Sequence, residues 1–305
     1  MLFLIALLVA VAFSFLCDKQ LKKHPTVFYT AAAILTAVTV TISQLESKGH
    51  IDIGSEFVVK YIIGIFTRGA LGAAFWAVVM WAGALPNGSA PIKTLMPIRG
   101  ELSITAAILT FSHIITYGIQ YISDLINDRT GSGDALRDFV ITSIVSLVMV
   151  LIMTPLTVMS FKKIRKKMQP KTWKKIQRAA YIFYALIYIH IMVLFIPKAN
   201  RGTEGVFFGI AVYSVVFIGY AVMRIRKQLI KSKKLPAAAL NVISVIVFAG
   251  LMATALLISG KDTDNSPAGG KPVEATGPRR QRPSSSQIDD QAQLRNYYDN
   301  QGVLI

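Results

Sequence analysis

Cysteine is almost missing from this 305-residue chain: there is one, Cys17. That excludes a disulfide framework, a cysteine-built zinc site and an iron–sulfur cluster held within the chain. Charge is scarce as well. Only 16% of residues are Asp, Glu, Lys or Arg, where a soluble domain carries about a quarter. Acidic residues are the scarcer kind, 16 against 33 basic, which leaves a net charge of +17. What fills the space is apolar: 53% of residues are hydrophobic and the mean hydropathy is +0.51. In a soluble protein the charge would suggest nucleic acid. In this composition the basic residues are first to be tested as loop charges that orient membrane helices.

A bilayer core of about 30 Å requires about 20 apolar helical residues. Eight runs qualify: 1–17, 28–45, 67–86, 102–123, 139–160, 176–197, 206–223 and 237–258. The first lacks the basic n-region and small-residue cleavage site of a signal peptide, and is expected to be a membrane helix. Residues 54–66 carry Glu56 and Lys60 among apolar neighbours. They read as an amphipathic lead-in at the interface or an outer extension of the third helix. The expectation is an all-α polytopic membrane bundle of about eight transmembrane helices.

Basic residues alternate from loop to loop. Lys19, Lys22 and Lys23, then Lys93 and Arg99, then nine from Lys162 to Arg178, then six from Arg224 to Lys234 lie on one side, twenty in all. The other side holds seven, Lys198 and Arg201 among them, with Asp52, Asp124, Asp128, Asp134, Asp138 and Glu204. The positive-inside rule puts the twenty in the cytoplasm and both termini on the outer face of a bacterial plasma membrane. The charge is thereby assigned to topology and anionic lipid rather than to nucleic acid. From about 260 to 305 the chain turns rich in Pro, Gly, Ser and balanced charge, the composition of a disordered outer-face tail.

Of four histidines, His24 and His50 fall in loops, whereas His113 and His190 fall within membrane runs. Ionisable groups at membrane depth are costly and mark functional sites by default. The plain alternative is a neutral imidazole hydrogen-bonded between helices. Helix four is expected to enter from the cytoplasm near Arg99, fourteen residues before His113. Helix six enters near Arg178, twelve residues before His190. At 1.5 Å per residue both rings lie roughly 18–21 Å from their inner anchors, on helices of the same direction. Two imidazoles at one level can clamp a planar metallocofactor, and bis-histidine haem b needs only apolar walls and propionate partners besides. A bare zinc or iron site would require three or four ligands, and a proton relay would require carboxylates. No Asp or Glu falls within the spans of helices four to seven except Asp residues at their outer ends.

Four stretches then carry a resemblance: FTRGALGAAFWAVVMWAGALP at 66–86, RGELSITAAILTFSHIITYG at 99–118, MTPLTVMSFKKI at 153–164 and WKKIQRAAYIFYALIYIHIMVLF at 173–195. Together they resemble the ferric-reductase-like transmembrane domain family, and within it the haem-b membrane subunits of bacterial methionine-sulfoxide reductase systems (MsrQ/YedZ type). The resemblance covers about 28–225 and implies a six-helix haem-binding core there. Residues 1–27 and 226–259 then supply an extra helix at each end. It also implies that His113 and His190 are axial ligands of one outer haem b. Arg68, at the outer end of the third helix, is expected near its propionates. Tyr117, one turn beyond His113, either hydrogen-bonds a propionate or packs. Where the family has an inner histidine this chain has Gln177, and the matching position on helix four is Arg99 or Gly100, so only one haem is expected.

The implied activity is one-electron transfer from a quinol or flavin donor to an outer-face or secreted redox partner. Ferric iron is a further candidate acceptor. The chain shows no G-x-G-x-x-G in a βαβ setting and no soluble region large enough for an FAD or NAD(P)H module, so hydride chemistry would belong to a partner. The competing reading is a non-redox transporter or scaffold that keeps the fold without the haem.

Overall fold

The computed structural model describes residues 2–203, 205–232 and 236–264, and among these all regular structure is helical. In chain order the helices are α1 (Leu2–Leu16), α2 (Asp18–Lys23), α3 (Pro25–Ser47), α4 (Gly64–Thr67), α5 (Ala70–Ala84), α6 (Ala90–Ile126), α7 (Asp134–Val158), α8 (Lys162–Arg165), α9 (Pro170–Gln177), α10 (Ala179–Asn200), α11 (Val206–Lys231) and α12 (Ala237–Asp264). A π-helical stretch, Val58–Ile63, leads into α4. Each of the eight expected runs falls on a helix. Six helical stretches are long and apolar enough to cross a bilayer: α3, α6, α7, α9 with α10, α11 and α12. Val58–Thr67 and Ala70–Ala84, bent by 48°, make a seventh if they form one span. The first run is shorter than expected: α1 has 15 residues, a rise of about 22 Å. This is a polytopic helical membrane bundle.

Outward faces fit lipid as solvent. Leu147 and Leu151 on α7 and Leu256 and Leu257 on α12 are more than 60% exposed. In water such stripes would drive aggregation, whereas hydrocarbon is as apolar as they are. Inside the bundle, α5 is buried almost all round, from Ala70 to Ala84, which makes it the central helix. The α1 helix packs into the same core, with Phe3 stacked on Tyr213 at 4.0 Å and Phe13 edge-on to Phe75 at 5.4 Å. On the far side Phe248 of α12 sits over Gly219 of α11.

Small residues set the closest approach. A Cβ on Gly72 would lie 3.1 Å from the Thr110 Cα, so α5 and α6 touch backbone to backbone. Polar groups there find partners within the protein, as a lipid environment demands. Trp76 Nε1 donates to Thr110 Oγ1 (3.2 Å), and Ser112 Oγ to the Phe66 carbonyl (2.8 Å).

Helix four departs from expectation at its inner end. It does not open at Arg99 but at Ala90, nine residues earlier, and runs for 37 residues. Pro91 presets the first turn, and Pro97 is carried within the helix. Counting apolar residues missed this turn because Lys93, Arg99 and two prolines dilute it. Glu101 consequently lies inside α6. It is buried and ion-paired with Lys162 at 2.6 Å, one residue before the apolar span 102–123 that was expected to hold no carboxylate short of its outer end. At the other end of the chain α12 continues to Asp264, past the expected 258. The expected tail from 265 onward lies outside the described residues.

Candidate functional site

Helix α4 ends at Thr67, and the chain turns through Arg68 and Gly69 before α5 begins. Gly69 has φ +75°, a left-handed conformation that non-glycine residues enter only with strain. The turn aims the Thr67 carbonyl at α6, where it lies 3.1 Å from His113 Nδ1. A carbonyl only accepts, so Nδ1 carries the proton and Nε2 keeps its lone pair. The imidazole rests against Gly69: a Cβ there would meet its Cγ at 3.0 Å.

His190 comes from α10. Its ring centroid is 6.2 Å from that of His113, with the planes at 80°. Its Nδ1 has a long contact, 3.5 Å, with Ser146 Oγ of α7. The structure therefore brings together the two histidines that sequence spacing placed at one depth, and each has a protein atom on its Nδ1 side. Metal–imidazole nitrogen distances are about 2.0–2.1 Å, and a ring centroid lies ~1.1 Å beyond its nitrogen, so two imidazoles on opposite sides of one iron sit about 6.3 Å apart. The spacing fits that arrangement. Among the described residues no group of three or more His, Cys, Asp or Glu could hold a bare metal ion.

Both rings line a cavity of about 430 Å³ between α5, α6, α7 and α10. Trp76, Met149, Val150, Met153, Phe183 and Ile187 form apolar walls. Besides Thr110 and Ser146, the polar groups Arg68, Tyr117, Tyr121, Thr142 and Ser143 gather toward the end of the bundle that carries the α4–α5 turn. Arg68 is thus a wall of this cavity rather than a distant interfacial anchor. Tyr117 packs on His113 with ring centroids 4.8 Å apart. Gln177 ends α9 and lines neither this cavity nor the second one, described below. Gly100 lies against the Ser160 carbonyl, where an added Cβ would come within 3.4 Å.

Thr67, Gly69 and Ser146 escaped the sequence reading. A backbone carbonyl leaves no trace in a sequence, and serines are common in membrane helices. Lys198 was expected as an outer loop charge. It sits within α10 instead, 1% exposed, with its ammonium 5.9 Å from the centre of the Phe195 ring, which lines the cavity. Its proximity to Pro197 gave the appearance of a helix end, but α10 runs to Asn200.

Residues 68–188 match the family model for the ferric reductase like transmembrane component. The match takes in Arg68, His113 and Tyr117 and stops two residues short of His190. An uncharacterized protein of Treponema pallidum (strain Nichols) is 38% identical over 216 residues, which cover 70% of this chain. The chain spans 57% of that relative's length. No solved structure matches. A stretch similar to the ferric reductase like transmembrane component thus lies within a multi-pass helical membrane protein.

Proposed function

We propose that this chain holds one haem b between His113 and His190 and passes single electrons across a bacterial plasma membrane. The donor is a quinol or a flavin, and the acceptor is a redox partner on the outer face, as in methionine-sulfoxide-reductase-type membrane subunits. The observation that carries the reading is the pair of imidazoles 6.2 Å apart across an apolar cavity. Bound there, the haem supplies a one-electron couple whose potential is tuned by its surroundings.

The protein's own part is to position and insulate. Thr67 fixes the His113 tautomer, and Ser146 stands on the Nδ1 side of His190. Arg68 places a permanent cation at the polar end, suited to pairing with a carboxylate. Tyr117 backs the His113 ring and offers a hydroxyl at the same end. Trp76, Met153 and Phe183 exclude water. A relative in Treponema pallidum supports a bacterial membrane, and by the positive-inside rule the basic loops support a cytoplasmic side for their end of the bundle.

The test is optical. Protein purified in detergent from haem-replete cells is expected to show a low-spin spectrum with a sharpened α-band on dithionite reduction. His113→Ala and His190→Ala each abolish or strongly shift it, while His24→Ala and His50→Ala leave it unchanged. A colourless wild-type preparation overturns the proposal.

A further inference from the structure

A second cavity, of about 240 Å³, lies at the end of the bundle that carries the basic loops. Three cations line it: Arg99 of α6, and Arg224 and Lys227 of α11. They converge on the last turn of α5. Arg224 Nη1 donates to the Gly83 carbonyl (3.0 Å), and Lys227 Nζ to the Gly83 and Leu85 carbonyls (3.1 and 2.8 Å). Arg99 Nε donates to the Val79 carbonyl (3.0 Å), one turn deeper. Arg224 also donates through Nη2 to the Tyr181 hydroxyl.

A helix C-terminus offers the equivalent of about half a negative charge. That is well short of three positive ones, and among the described residues no carboxylate lines the cavity. Arg99 is only partly exposed, and its two terminal nitrogens have no hydrogen-bond partner among the described residues. Clustered cations at a membrane boundary repel one another and are costly to desolvate unless an anion joins them. The cavity holds unspent guanidinium donors, the Asn87 side chain and two tyrosines, Tyr181 and Tyr220, around a net positive centre. Met96 in its wall is exposed, an apolar side chain suited to lipid contact at the cavity mouth. Arginine forks match phosphate oxygens in geometry as well as charge.

We infer that this cavity binds a phosphate group, that of an anionic phospholipid headgroup seated between α6 and α11. The inference is independent of the haem. Its measure is retention of phosphatidylglycerol against phosphatidylcholine by native mass spectrometry of the full-length protein released from mixed nanodiscs. Wild type is expected to keep phosphatidylglycerol preferentially, and Arg224→Gln to lose roughly tenfold of that preference, about what one charge-assisted contact contributes.

Arg224 and Lys227 also hold the end of α5, so their loss can disturb the bundle. Asn87→Asp avoids this: Asn87 lines the cavity but takes no part in those contacts. It places a carboxylate in the wall and is expected to cut the preference by a similar factor without lowering thermal stability. Lys163→Gln, in the exposed basic loop, is expected to leave it intact. Inorganic phosphate is added in a parallel arm. If it displaces phosphatidylglycerol at low millimolar concentration, the phosphate site stands but its source is soluble rather than lipid. Equal retention by wild type, Arg224→Gln and Asn87→Asp, with no response to inorganic phosphate, overturns the inference.

Discussion

The contact between Gly69 and His113 makes a sharp quantitative test. Alanine at position 69 introduces two separable costs. The first is backbone: φ is +75°, where an L-residue loses roughly 1–2 kcal/mol. The second is steric. The new methyl would stand 3.0, 3.1 and 3.3 Å from His113 Cγ, Nδ1 and Cδ2, inside ordinary van der Waals contact. Overpacking of that kind costs about 1–3 kcal/mol. Gly49 provides the control, because its φ is +69° and nothing lies within 4 Å of where its Cβ would be. Gly49→Ala should therefore cost about 1–2 kcal/mol and Gly69→Ala about 2–5 kcal/mol. The difference, about 1–3 kcal/mol, amounts to roughly 5–150-fold in the unfolding equilibrium. Equilibrium unfolding in mixed micelles measures both. The visible spectrum of the proposed haem adds a second readout, since relief of the clash pushes the imidazole off the Thr67 carbonyl. Equal costs for the two variants, with an unchanged spectrum in Gly69→Ala, refute the reasoning.

Two further outcomes follow from the same structure. Lys162→Ala should cost more stability than Glu101→Gln. The first leaves a buried carboxylate without its cation, about 1–3 kcal/mol, while the second lets the half-exposed lysine return to water at under about 1 kcal/mol; denaturant titration of the two variants reads the order. Arg68→Gln should lower the midpoint potential of the haem proposed above, because removing a cation favours the oxidised, more positive state. One charge about 10 Å away at an effective dielectric near 20 amounts to roughly 70 mV, and a potentiometric titration reads it.

Apolar run length was enough to find every long helix among the described residues, since the thickness of a bilayer is a one-dimensional requirement. It failed where composition and geometry part company. The first turns of α6, with Lys93, Pro97 and Arg99, look like a loop by hydropathy yet continue the helix. Lys198 looks like a loop charge yet is buried within α10. The depth of His113 and His190 could be counted because both helices rise 1.5 Å per residue in the same direction. Their mutual facing could not, since rotation about each helix axis is set by packing. Arg68 was legible as an outer arginine, but its place in the cavity wall depends on the bend at Gly69.

The sequence by itself determined the membrane class, the helical segments and the level at which two imidazoles would lie, because these follow from hydropathy and a fixed rise per residue. Only the tertiary structure decided that the rings stand 6.2 Å apart, that a backbone carbonyl fixes the tautomer of one of them, and that three cations gather at the end of α5. Those depend on helix rotation and on close approach at Gly69 and Gly72, where the absence of a side chain lets another element in.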